Sequence, residues 1–547
     1  MTGASKRSSN VTRRHLLQVL GASVAASGIS FLTGCGATGA PGSVSTPPTP
    51  PTPPTPPALP TPTETHDLVV YGGTPAGIIA AVAAARQGLS VCVIEPTGHI
   101  GGSLANGLGV TDSGNFKLIG GLARQFYTDV HGFSYEPHVV EQVYGGYITS
   151  NKIALHQNAS LSSLNKSGVR IQSISLSDGS IIGGSQWIDA SYEGDVMAAA
   201  GANYVVGRES VAQYGEPLAG WGTNRQNYDM SPFDSNGQLL PGLEQLPSKT
   251  SGQADDMIMG YTFRLCTTNV PANMVPFPKP DNYSPDQFAA LLRYITLNNY
   301  MSLSDVLTMQ PTTNSKFDLL FAYAQNPFST NLTGGSWSYP DASYSDRKVI
   351  WQNHYDYVAG LLYYLANDSS VPSAISSQIN KYGLAADEFT DNGHWPWQMY
   401  VREGRRLVGQ KVMTQSDVQS VAAIPDSIGV GQWGIDCHQC GIFGGEHQGA
   451  PAVIADGYVT TGTKYYPIPF GTILPLESEV ANLAVTCCLS ASHIGFASIR
   501  VEPVFMILGE AAGTAAALAV NNKVDITAVD VTQLQTVLLA NKGILSS

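Results

Sequence analysis

Gly72 and Gly73 stand in tandem, with Gly77 close behind and Glu95 ending the next apolar run, and residues of these types at this spacing can hold a dinucleotide. A pyrophosphate needs backbone N–H groups and room for its oxygens. Glycines give the room, and the N-terminus of a following helix gives free N–H groups and partial positive charge. Glu95 lies 23 residues past Gly72, where a carboxylate accepts hydrogen bonds from ribose hydroxyls. An acid there favours an unphosphorylated ribose, hence FAD or NAD over NADP. The middle glycine of the usual Gly-x-Gly-x-x-Gly is Thr74, followed by Pro75. Its β-branched side chain narrows the approach to the phosphates, although its hydroxyl could itself donate to a phosphate oxygen.

Those residues need a strand, a turn, a helix and a second strand to position them. Leu68 to Tyr71 is an apolar run of the length expected for a buried parallel strand, Ala76 to Gln87 an alanine-rich helix, and Val91 to Ile94 a second buried strand. Further on, WIDASYEGDVMAAA (187–200) reads as a strand ending in Asp189, then a turn through Gly194-Asp195 into a helix. Near the C-terminus, Pro503 is placed as the first residue of a helix whose Gly509, Ala511, Ala512 and Gly513 make a face small enough for close packing.

Residues 1–35 read as an export signal: Lys6, Arg7, Arg13 and Arg14, then an apolar stretch Leu16 to Leu32, then Leu32-Thr33-Gly34-Cys35. The segment from Thr12 to Leu17 resembles a twin-arginine signal, and Leu32 to Cys35 resembles a lipobox whose Cys35 is acylated after cleavage. A transmembrane anchor is the rival reading, but the apolar stretch is short of the ~20 residues a span needs. Residues 36–65, dominated by proline and threonine, are expected to be an extended spacer without a packed core. The expected location is therefore extracytoplasmic, with the membrane reached through a lipid anchor only.

The chain has 28 basic and 41 acidic residues. Losing residues 1–34 removes four basic and no acidic residues and takes the net charge from −13 to −17. With no lysine or arginine run in the body, nucleic acid is not an expected partner. Of the cysteines, Cys437 and Cys440 form a Cys-x-x-Cys that is either a disulfide or two thiols, Cys487 and Cys488 are adjacent, and Cys92 in its strand reads as a small buried hydrophobe. No second pair or close cluster completes a zinc or iron–sulfur pattern, so no metal is expected.

YGGTPAGI (71–78), GHIGGSLANGLGVTDSG (98–114), the 187–200 segment, YTFRLCTTNVPANMVPFPKP, YVREGRRLVGQKVMT, IGVGQWGIDCHQC, YYPIPFGTILP and LSASHIGFASIRVEPVFMILGEAAGTAAALAV (489–520) together resemble the bacterial FAD-dependent oxidoreductase family, with a flavin domain akin to that of the heterodisulfide reductase flavoprotein. The resemblance runs from Asp67 to about Val520. It implies an α/β fold: a glutathione-reductase-like, Rossmann-type FAD-binding domain assembled discontinuously from residues 66–206 and 466–547, with an α+β substrate domain inserted at 207–465. It further implies FAD contacts from Gly72, Gly73, Thr74, Ala76 and Gly77 at the pyrophosphate and Glu95 at the ribose. Gly101, Gly102 and Ser103 would continue along the phosphates and ribityl chain, Asp189, Ala190 and Ser191 would approach from the neighbouring strand, and the helix at Pro503 would aim its positive end at the flavin. This chain lacks the cysteine cluster for an iron–sulfur centre, and none is carried over.

Oxidation of an alcohol or amine needs a base, and histidine titrates in the useful range. His493 precedes the Pro503 helix, and His438 stands two residues from Asp436, which can orient it. Arg264, Arg402 and Arg500 are candidates to anchor a substrate carboxylate, carbonyl or hydroxyl, or to steady the reduced flavin. Arg402 and Glu403 read as part of a helix with Arg405 and Arg406, where surface salt bridges are the plainer explanation. The aromatic residues between Trp337 and Trp397 are expected either to line a substrate cavity or to pack the core. The expected activity is hydride transfer between a small organic substrate and flavin, with reoxidation by an unidentified electron acceptor. Three alternatives stand beside it: a reductase fed by a partner protein, an NAD-dependent dehydrogenase, and a surface-anchored carbohydrate-binding or polysaccharide-cleaving protein that keeps the fold.

Overall fold

A computed structural model describes residues 61–112, 114–321 and 326–546. The export signal, Cys35 and nearly all of the 36–65 spacer lie outside the described residues. The first apolar run forms strand β1 (Glu64–Tyr71), followed by helix α1 (Pro75–Ala85) and strand β2 (Val91–Glu95). Helix α1 starts where it does because Pro75 suits the first helical position and the Thr74 hydroxyl accepts the Gly77 N–H at 3.2 Å. Ten of its residues are buried, which explains why it carries alanine rather than a polar face.

Strands β3 (Ala154–Gln157), β4 (Leu161–Ser167), β5 (Arg170–Leu176) and β6 (Ile181–Asp189) complete most of the main sheet, whose order is β3-β2-β1-β6-β5-β4. The β3, β2, β1 and β6 portion is parallel, and β4 and β5 run antiparallel beside the start of β6. The far half of β6 pairs in parallel with β7 (Leu483–Val485), through Leu483–Trp187 and Val485–Asp189. A strand from near the C-terminus therefore finishes a sheet begun at residue 64.

The long helix α2 (Tyr344–Asn367), the short helix α3 (His493–Ile499) and helix α4 (Glu502–Asn522) follow in chain order. Helix α4 is apolar enough to cross a membrane by length and composition, yet it is buried in the body. It lies against α1 at glycines: a Cβ on Gly509 or Gly513 would penetrate the carbonyl of Ala76 or Ala80. The two backbones thus meet directly over the sheet, and the N-termini of both helices are brought to one end of it.

Elsewhere an antiparallel five-stranded sheet is built from residues 265–268, 274–275, 307–311, 316–321 and 383–385. Against it pack α2 and an aromatic core in which Trp395 meets Phe263 and Tyr355 edge-on, at 5.3 and 4.8 Å between centroids. Core packing accounts for that part of the aromatic stretch, whereas Trp351 and Trp397 border a cavity. Residues 401–405 are not helical: they have no regular secondary structure and lead into a two-residue strand at Arg406–Leu407. Gly404 explains the departure, because it passes so close to the Tyr192 carbonyl that a Cβ would stand 2.5 Å from its oxygen. Arg402, Glu403 and Arg406 are consequently interior residues instead of members of a surface helix.

Candidate active site

Two groups of functional side chains stand out, the first of them at the end of the sheet where β1 and β6 finish. The first is the glycine turn. Gly72 adopts φ +104°, and a Cβ there would lie 2.7 Å from the Ala190 carbonyl carbon and the Ser191 nitrogen. Gly73 donates its N–H to Glu95 Oε2 at 2.8 Å, and Gly101 donates its own to the Gly73 carbonyl at 2.7 Å. The turn, the acidic strand end and the Gly101-Gly102 doublet are therefore one hydrogen-bonded unit. Ala76 and Gly77 form the first turn of α1, buried beside it. Thr74 does not leave a hydroxyl proton for a phosphate: that proton goes to the Ala190 carbonyl at 2.8 Å.

Glu95 is buried, and its Oε1 accepts from the Thr97 N–H and hydroxyl, both at 2.8 Å. Burial pushes its carboxyl up to about 7, against the opposing hydrogen bonds. Asp189 is equally buried, but its oxygens order the chain after β6 by accepting from Ser191 N–H, Ser191 hydroxyl and Met197 N–H at 3.0, 2.7 and 2.8 Å. Ala190 presents its carbonyl to Thr74, and Ser191 stands on the rim of an open cavity of about 670 Å³ bordered also by Gly72, Thr74 and Glu95. A cavity of this size suits a cofactor-sized ligand.

Two residues that no pattern in the sequence singles out complete this end. Tyr192 hydroxyl accepts the Ser103 N–H at 3.0 Å and donates to Glu502 Oε1 at 2.5 Å. Glu502 opens α4 beside Pro503, and its Oε2 is buried with no hydrogen-bond partner among the described residues. Burial pushes its carboxyl up to about 7. A buried polar atom without a partner is costly. Set beside Ser103 at the N-terminus of α4, it marks a place for a polar ligand edge. The glycine cradle, the carboxylate of Glu95, the cavity and this orphan oxygen together fit FAD.

The ionisation of these carboxyls, and of Glu510 buried further along α4, has a measurable consequence. Glu95, Glu502 and Glu510 are raised to about 7 and Asp189 to about 6, each chiefly by burial. A raised carboxyl binds its proton more tightly folded than unfolded, so the stability it contributes is present at low pH and lost as pH rises through the folded value. The thermal midpoint of the ligand-free protein is therefore expected to fall between about pH 5.5 and about pH 8. A midpoint that rises over that interval contradicts the protonated assignment.

The second group surrounds Tyr400. The guanidinium carbons of Arg264 and Arg402 lie 5.6 and 5.1 Å from the centre of its ring, and Arg500 Nη1 donates to its hydroxyl at 3.4 Å. All three arginines are buried. Arg264 is held in a bidentate pair with Asp318, with Nε to Oδ1 at 2.9 Å, while Arg402 donates to the Gly260 carbonyl. Arg500 donates to the Asp436 carbonyl at 2.8 Å and to its Oδ2 at 3.2 Å. Asp112, from the loop after the glycine doublet, faces the Tyr400 hydroxyl at 3.5 Å.

His438 belongs to this group, with Nε2 3.5 Å from Asp436 Oδ2. Burial and then the positive charge of Arg402 push its imidazole down to about 4, so it is neutral at physiological pH. Burial and the neighbouring arginines bring Arg402 down to about 9, which leaves it charged there. Burial alone would raise Asp436, but His438 and the arginines outweigh it and hold the carboxyl well below the usual range. The arrangement pairs a neutral proton acceptor with a nest of fixed positive charge.

His493 sits in a different network. Its Nδ1 lies 2.9 and 3.0 Å from the two Glu403 oxygens, and its backbone N–H donates to Glu209 Oε2 at 2.9 Å. Arg406 pairs with both Glu403 and Glu209. Cys437 and Cys440 are buried thiols with no bond between them.

The sequence model of the family described as FAD dependent oxidoreductase matches residues 67–538. No curated protein matches the chain. Among solved structures, a flavin-containing monooxygenase from Stenotrophomonas maltophilia is similar at 16% identity, over 27% of this chain and 43% of that one, with a TM-score of 0.19. THI4 of Thermovibrio ammonificans matches at 14% identity over 28% of this chain and 71% of its own, with a TM-score of 0.22. The thioredoxin reductase of T. acidophilum matches at 17% identity over 28% and 41%, with a TM-score of 0.18. The chain spans about two fifths of the length of the monooxygenase and the thioredoxin reductase.

Proposed function

The chain belongs to the FAD dependent oxidoreductase family and is an FAD-dependent enzyme, and we propose that it oxidises a small organic substrate carrying a carboxylate, held by Arg264, Arg402 and Arg500 around Tyr400. Bound FAD supplies the two-electron acceptor. The chain's own part is to grip the anionic end of the substrate, exclude water from the buried cluster, and take up a proton at His438. The observation that carries this reading is the convergence of three buried guanidinium groups on one tyrosine, next to a neutral histidine.

Arg264, Arg402 and His438 come from residues 207–465, and Asp112 and Arg500 from the segments on either side. That distribution supports reading 207–465 as a substrate-facing insertion in a discontinuous FAD-binding domain akin to that of the heterodisulfide reductase flavoprotein. The twin-arginine and lipobox motifs support export of the folded protein and anchoring through Cys35. An electron acceptor outside the cytoplasm would then reoxidise the enzyme.

Anaerobic mixing of the FAD-loaded protein with small hydroxy acids, amino acids and the matching amides tests the substrate class. Carboxylate donors are expected to bleach the flavin at least about tenfold faster than their amides, which corresponds to about 1.4 kcal/mol. Bleaching by uncharged donors alone would remove the arginine cluster as the anchor.

A further inference from the structure

Glu64 at the start of β1, Cys92 in β2 and His156 in β3 bring three ligand atoms of different chemistry face to face. Glu64 Oε1 lies 2.6 Å from His156 Nε2 and 3.9 Å from Cys92 Sγ, and the three atoms are mutually within 4.8 Å. His66 Nε2 is 3.4 Å from the same carboxylate oxygen and is buried without a hydrogen bond among the described residues. We propose that Glu64, Cys92 and His156 form a three-ligand site for a zinc-type divalent cation.

The donor set is one that zinc accepts: imidazole nitrogen, thiolate sulfur and carboxylate oxygen, each about 2.0 to 2.3 Å from the metal, with water able to take the fourth position. Such lengths separate tetrahedral ligands by about 3.3 to 3.8 Å, so the cluster needs only a small opening of the Glu64–His156 pair. Glu64 is the ligand free to make it, with its side chain 37% exposed. Cys92 offers the sulfur from the buried middle of the group.

The location indicates what the cation would do. β3 is the edge strand of the sheet, hydrogen-bonded to β2 alone. β1 starts at Glu64, within the last residues of the 36–65 segment expected to be spacer. A cation bridging β1, β2 and β3 ties the edge strand to the sheet centre and fixes the point where the spacer joins the body. The site shares no residue with the proposed flavin contacts, and its failure would leave the redox proposal untouched. No cysteine spacing announces it, because its ligands come from three neighbouring strands rather than from one motif.

Metal analysis and X-ray absorption of the FAD-loaded protein, chelator-stripped and then reloaded with Zn²⁺, provide the test. The expected result is one zinc per chain with one sulfur scatterer, a thermal midpoint raised by Zn²⁺ but not Mg²⁺, and unchanged FAD content. Cys92→Ser should remove the sulfur scatterer, and Glu64→Gln and His156→Ala should each weaken zinc binding at least about tenfold, by analogy with the cost of disturbing a ligand's supporting shell. Failure to bind zinc, sulfur ligation that persists in Cys92→Ser, or unaltered affinity in both Glu64→Gln and His156→Ala overturns the site. The last two variants keep the test decisive if Cys92→Ser does not fold.

Discussion

Gly77→Ala is expected to produce a protein that retains FAD at least about tenfold more weakly than wild type, a loss of about 1.4 kcal/mol in binding, and that is itself less stable by ~1–3 kcal/mol. The added methyl group would enter the van der Waals radius of the Gly72 carbonyl oxygen and come within 3.1 Å of Ala190 Cβ. Helix α1 would have to lift away from β1 and β6, taking with it the N–H groups of its first turn and the Thr74 hydrogen bond to Ala190. A loss confined to general stability would not single out the cofactor, so a second glycine serves as control. Gly88 has φ +93° but no atom within 4 Å of an added Cβ. Gly88→Ala should show backbone strain and a lowered midpoint while keeping its flavin. Absorbance at fixed protein concentration after gel filtration reads both. Equal flavin retention in the two variants would mean that the turn does not position the cofactor.

That turn is also the most legible part of the sequence. The apolar run before Gly72, the alanine-rich stretch after Pro75 and the run ending in Glu95 are local patterns, and they form β1, α1 and β2 with boundaries shifted by a few residues. Pro503 likewise marks α4, which starts one residue earlier at Glu502. What could not be read was convergence. Asp112, Arg264, Tyr400, Asp436 and Arg500 meet across hundreds of residues, and no periodicity encodes such a meeting. Tyr192 and Glu502 are separated by 310 positions and gain meaning only from their 2.5 Å contact. The non-helical course of residues 401–405 escaped for a related reason. Four charged residues around one glycine resemble an exposed helix until the close approach of Gly404 to Tyr192 is known.

The same convergence separates the two candidate bases, which residue type alone left equal. His438→Ala is expected to slow anaerobic flavin reduction by the preferred donor ~10²–10⁴-fold, the usual range for losing a positioned base, with little change in FAD content. His438 titrates at about 4, so the wild-type kcat/KM should rise as pH passes through that value, where the imidazole becomes neutral, and level off above it. His493→Ala should act through the fold. Removing its ring takes a buried hydrogen-bonding partner from Glu403, at a cost of ~1–3 kcal/mol, while Arg406 still neutralises that carboxylate. Its thermal midpoint should drop, yet rapid flavin reduction should persist in the fraction that remains folded. The reverse outcome, with His493→Ala stable and inactive and His438→Ala near wild type, would transfer the base to the Glu403 network and leave the Tyr400 cluster with substrate binding alone. Both histidines are buried next to a carboxylate. Only His438 also faces the arginines of the Tyr400 cluster, where burial and then the charge of Arg402 keep it unprotonated, and its place beside the proposed substrate anchor decides the assignment.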